Sequence, residues 1–264
     1  MNYLILAAAI LGGILGHYAS LFAQNASKSK QFYAVIVGIS EYKDVTANLL
    51  YADDDARAFY TQMRAMGVPE KNMSLLTNQT ATQHNIINAM NNLFAKATPI
   101  DEVIFFFSGH GSNGLFVAHD NYLYHREVKT ALKNSRAATK LLFADACFSG
   151  SLKSLPKQAP MPKDEKTAQS YYKDFVAKGL NVAVFASSRN NQPSAETPTL
   201  KGGIFTHYLL NALRGTGDLN GDRLITLYEM YRYVSDKVKT ESNNKQIPGM
   251  FGKFNPELPI ARVR

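Results

Sequence analysis

Cys147, the one cysteine of the chain, stands in Asp145-Ala146-Cys147-Phe148-Ser149-Gly150, and His110 stands between glycines in Ser108-Gly109-His110-Gly111. A thiol that can ionise, close to an imidazole that can carry its proton, is the minimal equipment for attack on an acyl carbon. The imidazole then holds a proton for the departing amine. Backbone donors must also meet the oxyanion, and the amides of Cys147 and Gly111 are placed in the chain to supply them. Each residue has an inert reading too. A free cysteine is usually buried and packed, and a histidine in a glycine turn can simply bond backbone. Two such coincidences, each just after an apolar run, weigh toward the chemical reading. Gly109-x-Gly111-x-x-Gly114 also matches a dinucleotide fingerprint, but that needs a helix next, and Leu115–Asp120 does not read as one.

The runs that must position these residues read as buried strands. Phe32–Ile39, Met73–Thr77, Val103–Phe107, Lys140–Ala144 and Asn181–Ala186 are short and mostly apolar, several of them rich in β-branched or aromatic residues. Helical spacing alternates with them at Asp53–Met66, Thr82–Ala97, Arg126–Asn134, Ala168–Lys178, Ile204–Leu213 and Leu227–Thr240. Thr82 caps its helix, and the acids at the start of the first helix suit its dipole. Alternation of this kind implies an α/β fold, a mainly parallel sheet with helices on both faces. Sites in such sheets lie at the carboxyl ends of the strands. His110 and Cys147 follow two of those ends. The tail Ile247–Arg264 shows no periodicity and is left unassigned.

With 264 residues and 45% hydrophobic composition, the chain is expected to hold one folded domain, residues 24–264, after a short N-terminal segment. In that segment Tyr3–Gly16 is uncharged and almost wholly apolar, and Leu21-Phe22-Ala23 ends on a small residue. This reads as a signal peptide over residues 1–23, hence a secreted or periplasmic protein without stable membrane association. Leu4–Gly16 falls short of the about 20 residues that span a bilayer. No Lys or Arg precedes the run, so an uncleaved anchor extending to Phe22 is the alternative. One cysteine excludes an intrachain disulfide framework. The net charge of +8 comes without any basic cluster interleaved with aromatics, so nucleic acid is not an expected partner. Lys153, Lys157, Lys163, Lys166, Lys173 and Lys178 instead crowd a segment with three prolines, which reads as an exposed loop over residues 151–178.

In order along the chain, YAVIVGIS, YADDDARAF, FFFSGHG, LLFADACFSG, ASSRNNQPSAE and GGIFTHYLLNALRG resemble the blocks of bacterial caspase-like proteases, relatives of metacaspases, over about Phe32 to Val234. The resemblance implies the three-layer caspase–haemoglobinase fold and a His110/Cys147 dyad in a cysteine endopeptidase. Metacaspases have Asp two residues before the nucleophile, where Asp145 stands, and a second Asp in the block matching Tyr51–Ala56, where the matching residue is Asp55. Two carboxylates in one pocket would demand a cationic guest, so cleavage after Arg or Lys of peptide or protein substrates is expected. Asp53 reads as a helix cap. Self-cleavage in the Lys-rich loop is a further expectation, and a non-catalytic binding or regulatory module is the alternative to an enzyme.

No cofactor is required for that chemistry. The acidic insertion that calcium-dependent metacaspases carry after SGHG is missing: Ser112–Asn121 is short and nearly neutral. A separate calcium candidate lies at residues 218–229, where Asp218, Asn220, Asp222, Leu224, Thr226 and Glu229 take the ligand positions of an EF-hand-like loop. Arg223 stands where such loops place glycine, and a polar capped turn is the competing reading.

Overall fold

The computed structural model describes residues 29–112, 114–147, 172–173, 175, 180–188 and 195–263, with only the backbone of Cys147. Residues 31–264 make up one structural unit, separate from residues 1–30. The expected signal segment 1–23 lies outside the described residues. So do loop 151–178 and its helix at Ala168–Lys178, apart from Tyr172, Lys173 and Phe175.

The apolar runs become strands in the expected order: β1 (Phe32–Gly38), α1 (Ala52–Ala65), β2 (Met73–Thr77), α2 (Gln83–Phe94), β3 (Glu102–Ser112), β4 (Leu115–Val117), β5 (Tyr122–Tyr124), α3 (His125–Asn134), β6 (Thr139–Cys147) and β7 (Val182–Ala186). There follow β8 (Glu196–Thr197), β9 (Gly202–Gly203), α4 (Ile204–Asn211), β10 (Leu224–Thr226), α5 (Leu227–Glu241), β11 (Gly249–Gly252) and β12 (Pro259–Arg262). The main sheet runs β11-β7-β6-β3-β1-β2. All its pairings along β7-β6-β3-β1-β2 are parallel, and β11 closes one edge antiparallel to β7. The segment after SGHG forms the β4–β5 hairpin rather than a helix, which removes the dinucleotide-loop geometry.

Both faces of the sheet are covered, because its strands are apolar on both sides. On one face Ala56, Phe59 and Met63 of α1, Phe205 of α4 and Val234 of α5 pack on Ile36, Ile104, Phe106 and Phe143. Phe59 stacks on Phe106 with ring centroids 4.4 Å apart. On the other face Ile86 and Met90 of α2 and Val128 and Leu132 of α3 cover Val35, Val37, Phe105, Phe107 and Leu142. This is the three-layer α/β fold expected. Among the described helices none is long and apolar enough to cross a membrane.

Two departures are instructive. β3 does not stop at Phe107; it runs through the polar SGHG motif to Ser112, because that stretch continues the ladder to β6. The unassigned tail supplies β11 and β12, the latter paired with β10. Strands of four residues flanked by Gly and Pro offer too few side chains to show a period.

Candidate active site

Side chains alternate along a strand, so every second residue shares a face. Ile104 and Phe106 face α1, and Ser108 follows on that face; Leu141 and Phe143 do the same on β6, and Asp145 follows. The register sets Ser108 opposite Asp145. The Ser108 hydroxyl donates to Asp55 Oδ2 at 3.0 Å, bringing the first turn of α1 into the cluster. Asp55 and Asp145 are 5% and 4% exposed.

The start of α4 closes the floor from the other side. Gly203 N–H donates to Asp55 Oδ1 at 3.1 Å. Asp145 Oδ2 accepts the Thr206 amide at 3.1 Å and its hydroxyl at 2.7 Å. First-turn amides of a helix favour an anion in this position. A Cβ on Gly203 would run into Asp145 Oδ2 and stand 3.0 Å from Asp55 Oδ2, so only glycine lets the two carboxylates share this corner. Burial pushes the Asp55 carboxyl well above the usual carboxylate range, and the neighbouring Asp145 charge adds to it. The Gly203 amide and Ser108 hydroxyl pull the other way without overcoming that. The pair therefore gathers two carboxyls in one buried corner, where a second full negative charge is costly.

The three consecutive acids of α1 divide their work. Asp53 accepts the Ser40 hydroxyl at 2.6 Å and its amide donates back to Ser40 Oγ at 3.0 Å; the N-cap position itself is Tyr51, so Ser40 rather than the expected Asp53 side chain satisfies a first-turn amide. Asp55 alone of the three is buried, against Ser108 and Gly203. Sequence reasoning missed Glu196, which accepts the amides of Leu50 and Tyr51 at 2.9 and 3.0 Å and ties β8 to the approach of α1.

His110 stands opposite Cys147 in the parallel register of β3 and β6, on strands about 4.8 Å apart. Gly111, the other expected oxyanion donor, pairs with Phe116 of β4 beside them. His110 Nε2 lies 2.6 Å from the Ala47 carbonyl oxygen. A carbonyl only accepts, so Nε2 carries the proton and Nδ1 keeps the lone pair. Burial lowers the His110 pKa from 6.5, partly offset by the Ala47 bond, so the ring is mostly neutral at pH 7.

Tyr42 fixes the backbone of the same residue. His110 N–H donates to Tyr42 Oη at 2.8 Å, and the two rings lie 4.9 Å apart. A Cβ on Gly109 would approach that hydroxyl to 2.7 Å, at a φ of +155° that side chains rarely adopt. Neither Tyr42 nor Ala47 was singled out in the sequence; Ala47 acts through its carbonyl, for which side-chain type gives no signal. Tyr42→Phe would leave a buried amide without its acceptor, a loss of about 1–3 kcal/mol. The expected result is a kcat for an Arg peptide about tenfold lower with KM little changed. An unchanged kcat would reduce Tyr42 to packing.

The EF-hand-like loop satisfies itself. Asp218 accepts the amides of Gly221 and Arg223, Asn220 that of Asp222, and Asp222 that of Leu224. Thr226 and Glu229 form a capping box on α5, and the second Glu229 oxygen accepts Leu219 N–H. Arg223 takes the left-handed φ of +68° that calcium loops give to glycine. Among the described residues no group of three or more His, Cys, Asp or Glu side chains is gathered as a metal site. As folded, these residues fit a polar capped turn, and an ion would have to draw Glu229 out of its box.

The model of the caspase domain family matches residues 31–258. Metacaspase-2 of Arabidopsis thaliana is 29% identical over 244 residues, 78% of this chain and 58% of that protein, so the chain spans little more than half the length of that relative. Caspase-1 of Spodoptera frugiperda superposes with a TM-score of 0.65 at 13% identity, over 91% of this chain and 93% of that one. A protein of Geobacter sulfurreducens gives 0.64 at 17% identity, over 89% of this chain and all of its own. At those identities the two solved structures show the shared fold alone.

Proposed function

The chain belongs to the caspase domain family of peptidases, and on that premise we propose that it is a cysteine endopeptidase cleaving after Arg or Lys, with Cys147 as nucleophile and His110 as its proton carrier. One observation carries the reading: the strand register that sets His110 opposite Cys147 sets Ser108 opposite Asp145, beside the buried Asp55. Chemistry and specificity thus sit within three residues of each other on the same two strands.

In the proposed reaction, His110 Nδ1 accepts the thiol proton and the Cys147 sulfur forms a bond to the scissile carbonyl carbon. The amides of Cys147 and Gly111 hold the developing oxyanion. As the carbon–nitrogen bond breaks, His110 returns the proton to the leaving amine. Water, deprotonated by the same nitrogen, then hydrolyses the thioester and frees the carboxylate and the thiol. The cationic side chain before the scissile bond meets Asp55 and Asp145; Arg matches a carboxylate pair bidentately and Lys as a point charge.

Peptides identical except for Arg, Lys or Asp before the cut site test this. Arg and Lys peptides are expected to be cleaved at least about a hundredfold faster than the Asp peptide, since the latter would bring a further carboxylate to an anionic floor. Equal cleavage of Asp would remove the pocket assignment. No cleavage of any of them would favour the non-catalytic module.

Export through residues 1–23 and self-cleavage in loop 151–178 belong to the same proposal; N-terminal sequencing and mass spectrometry of the purified protein check both. No cofactor is needed for the reaction as written. Calcium at 218–229 would show as a rise in thermal stability on adding the ion.

A further inference from the structure

Glu196 of β8 lies across the two amides that lead into α1: it accepts Leu50 N–H at 2.9 Å and Tyr51 N–H at 3.0 Å. We propose that Glu196 is a positioning residue for specificity. By fixing the start of α1 against the β8–β9 hairpin it sets the spacing of Asp55 and Asp145, and that spacing serves a guanidinium more than an ammonium before the scissile bond. The proposal rests on the peptidase reading above and deepens it.

Both ends of this link reach the carboxyl pair. At one end Tyr51 is the N-cap of α1 and makes no side-chain cap of its own, while its carbonyl accepts Asp55 N–H at 2.9 Å. Glu196 supplies, from a distant part of the chain, the anion that a helix start favours. At the other end Glu196 stands opposite Gly203 in the antiparallel β8–β9 pair. Gly203 donates to Asp55 and is the N-cap of α4, whose Thr206 binds Asp145. Ala195, next to Glu196, accepts Ile204 N–H at 2.9 Å and donates to Gln246 Oε1 at 3.1 Å. Gln246 Nε2 donates in turn to the Ser187 carbonyl at 3.1 Å, just past β7. The hairpin is thus tied to the sheet, and Glu196 ties α1 to the hairpin. The support of His110 has its own anchors: Asn48 Oδ1 accepts Tyr42 N–H at 2.8 Å, and Leu49 N–H donates to the Ser40 carbonyl at 2.9 Å.

Spacing matters differently to the two basic side chains. A guanidinium is a rigid fork that bonds well only where its acceptor oxygens stand in the right places. An ammonium is a point charge on a flexible stem with three rotatable donors, and it tolerates displaced acceptors. Movement of Asp55 relative to Asp145 therefore costs Arg more than Lys. The hairpin leaves little slack for such movement: a Cβ on Gly202 would stand 2.7 Å from Asp55 Oδ1, and one on Gly203 3.0 Å from Asp55 Oδ2. The charge of Glu196, by contrast, acts on both guests alike, because each carries one positive charge. The ratio of Arg to Lys cleavage thus separates position from charge.

The test compares peptides identical except for Arg or Lys before the cut site, on the parent and on Glu196→Ala. In the variant kcat/KM is expected to fall about tenfold for Arg and about threefold for Lys, mainly through KM, so the Arg-to-Lys ratio drops about threefold. Alkylation of Cys147, the one thiol of the chain, by iodoacetamide reads the dyad apart from the carboxyl pair and is expected to keep its rate. Glu196→Gln, which keeps one oxygen and nearly the same volume, is expected to shift the ratio the same way by less, and it carries the test should Glu196→Ala not fold. Equal losses for Arg and Lys overturn the proposal, since they leave Glu196 only its charge. An unchanged Arg rate overturns it as well, as does an alkylation rate that falls along with the peptide rates. A parent that cleaves neither peptide defeats the peptidase reading itself, and the positioning role with it.

Discussion

Cys147→Ala is expected to lower kcat/KM for an Arg peptide by about 10³–10⁶-fold, the range found when a covalent nucleophile is removed from a group that acts as a unit. His110→Ala is expected to fall in the same range, and the double variant little further. The reason lies in the proton. A thiol without its imidazole is only a few per cent ionised at neutral pH, and a leaving amine without an acid cannot depart. Either deletion therefore removes the same pathway, and the losses do not add. The strand register makes this a sharp prediction, because it sets the two residues opposite one another on adjacent parallel strands. The check is hydrolysis of an Arg peptide by each purified variant, with thermal unfolding as a control. Alanine keeps the Cβ and asks nothing new of the β6 backbone, so Tm is expected to stay near that of the parent. Turnover within tenfold of the parent would remove Cys147 from the chemistry.

The fold was legible where period and length agreed. Five apolar runs and, among the described residues, the helices expected near 53–66, 82–97 and 126–134 appear as strands and helices within a few residues of the expected bounds, because a strand buried on both faces has to be apolar throughout. Legibility ended where backbone groups do the work. Ser108-Gly109-His110-Gly111 reads as a turn by composition, yet it is strand, since ladder bonds to β6 outweigh the low strand propensity of glycine. Asp55 and Asp145 were paired through the resemblance to metacaspases, since carboxylate type alone does not separate Asp55 from Asp53 and Asp54, and both side chains are buried beside Gly203. Thr206, which binds Asp145, lay inside the GGIFTH block without an assigned role. Its signal was available: two glycines followed by a helix start mark a place where backbone approaches something closely. Ala47 carried no such mark, because a carbonyl belongs to every residue. In residues 218–229 the same oxygen-bearing residues accept the loop's own amides and cap α5, a use that shares its residue types and spacing with an ion site, so spacing alone does not separate the two.

Asp55→Asn is expected to damage activity while making the protein more stable, a combination that separates a functional carboxylate from a structural one. The Asp55 pKa is raised from 3.8, first by burial and then by Asp145. A carboxyl that holds its proton more tightly folded than unfolded makes stability fall as pH climbs from the unfolded value to the folded one. Above that window the folded protein carries an unfavourable buried charge. Asparagine removes the charge and, with its one oxygen at the Oδ2 position, keeps an acceptor for both the Ser108 hydroxyl at 3.0 Å and the Gly203 amide at 3.2 Å, so Tm above the window is expected to rise, by about 2–4 °C per kcal/mol relieved. Below pH 3.8, where Asp55 is protonated in both states, the two proteins are expected to converge. Catalysis moves the opposite way. Losing one partner of a buried charge contact costs about 2–5 kcal/mol, or roughly 30- to 4,000-fold in kcat/KM for an Arg peptide. The same ionisation predicts that the parent's KM for Arg falls as pH rises through the elevated Asp55 pKa, and that the variant loses this dependence while the acid limb owed to His110 in kcat remains. Parallel melting curves and pH profiles decide the matter. A variant that is both less stable and still fully active on Arg would mean that Asp55 holds α1 to α4 and never meets the substrate.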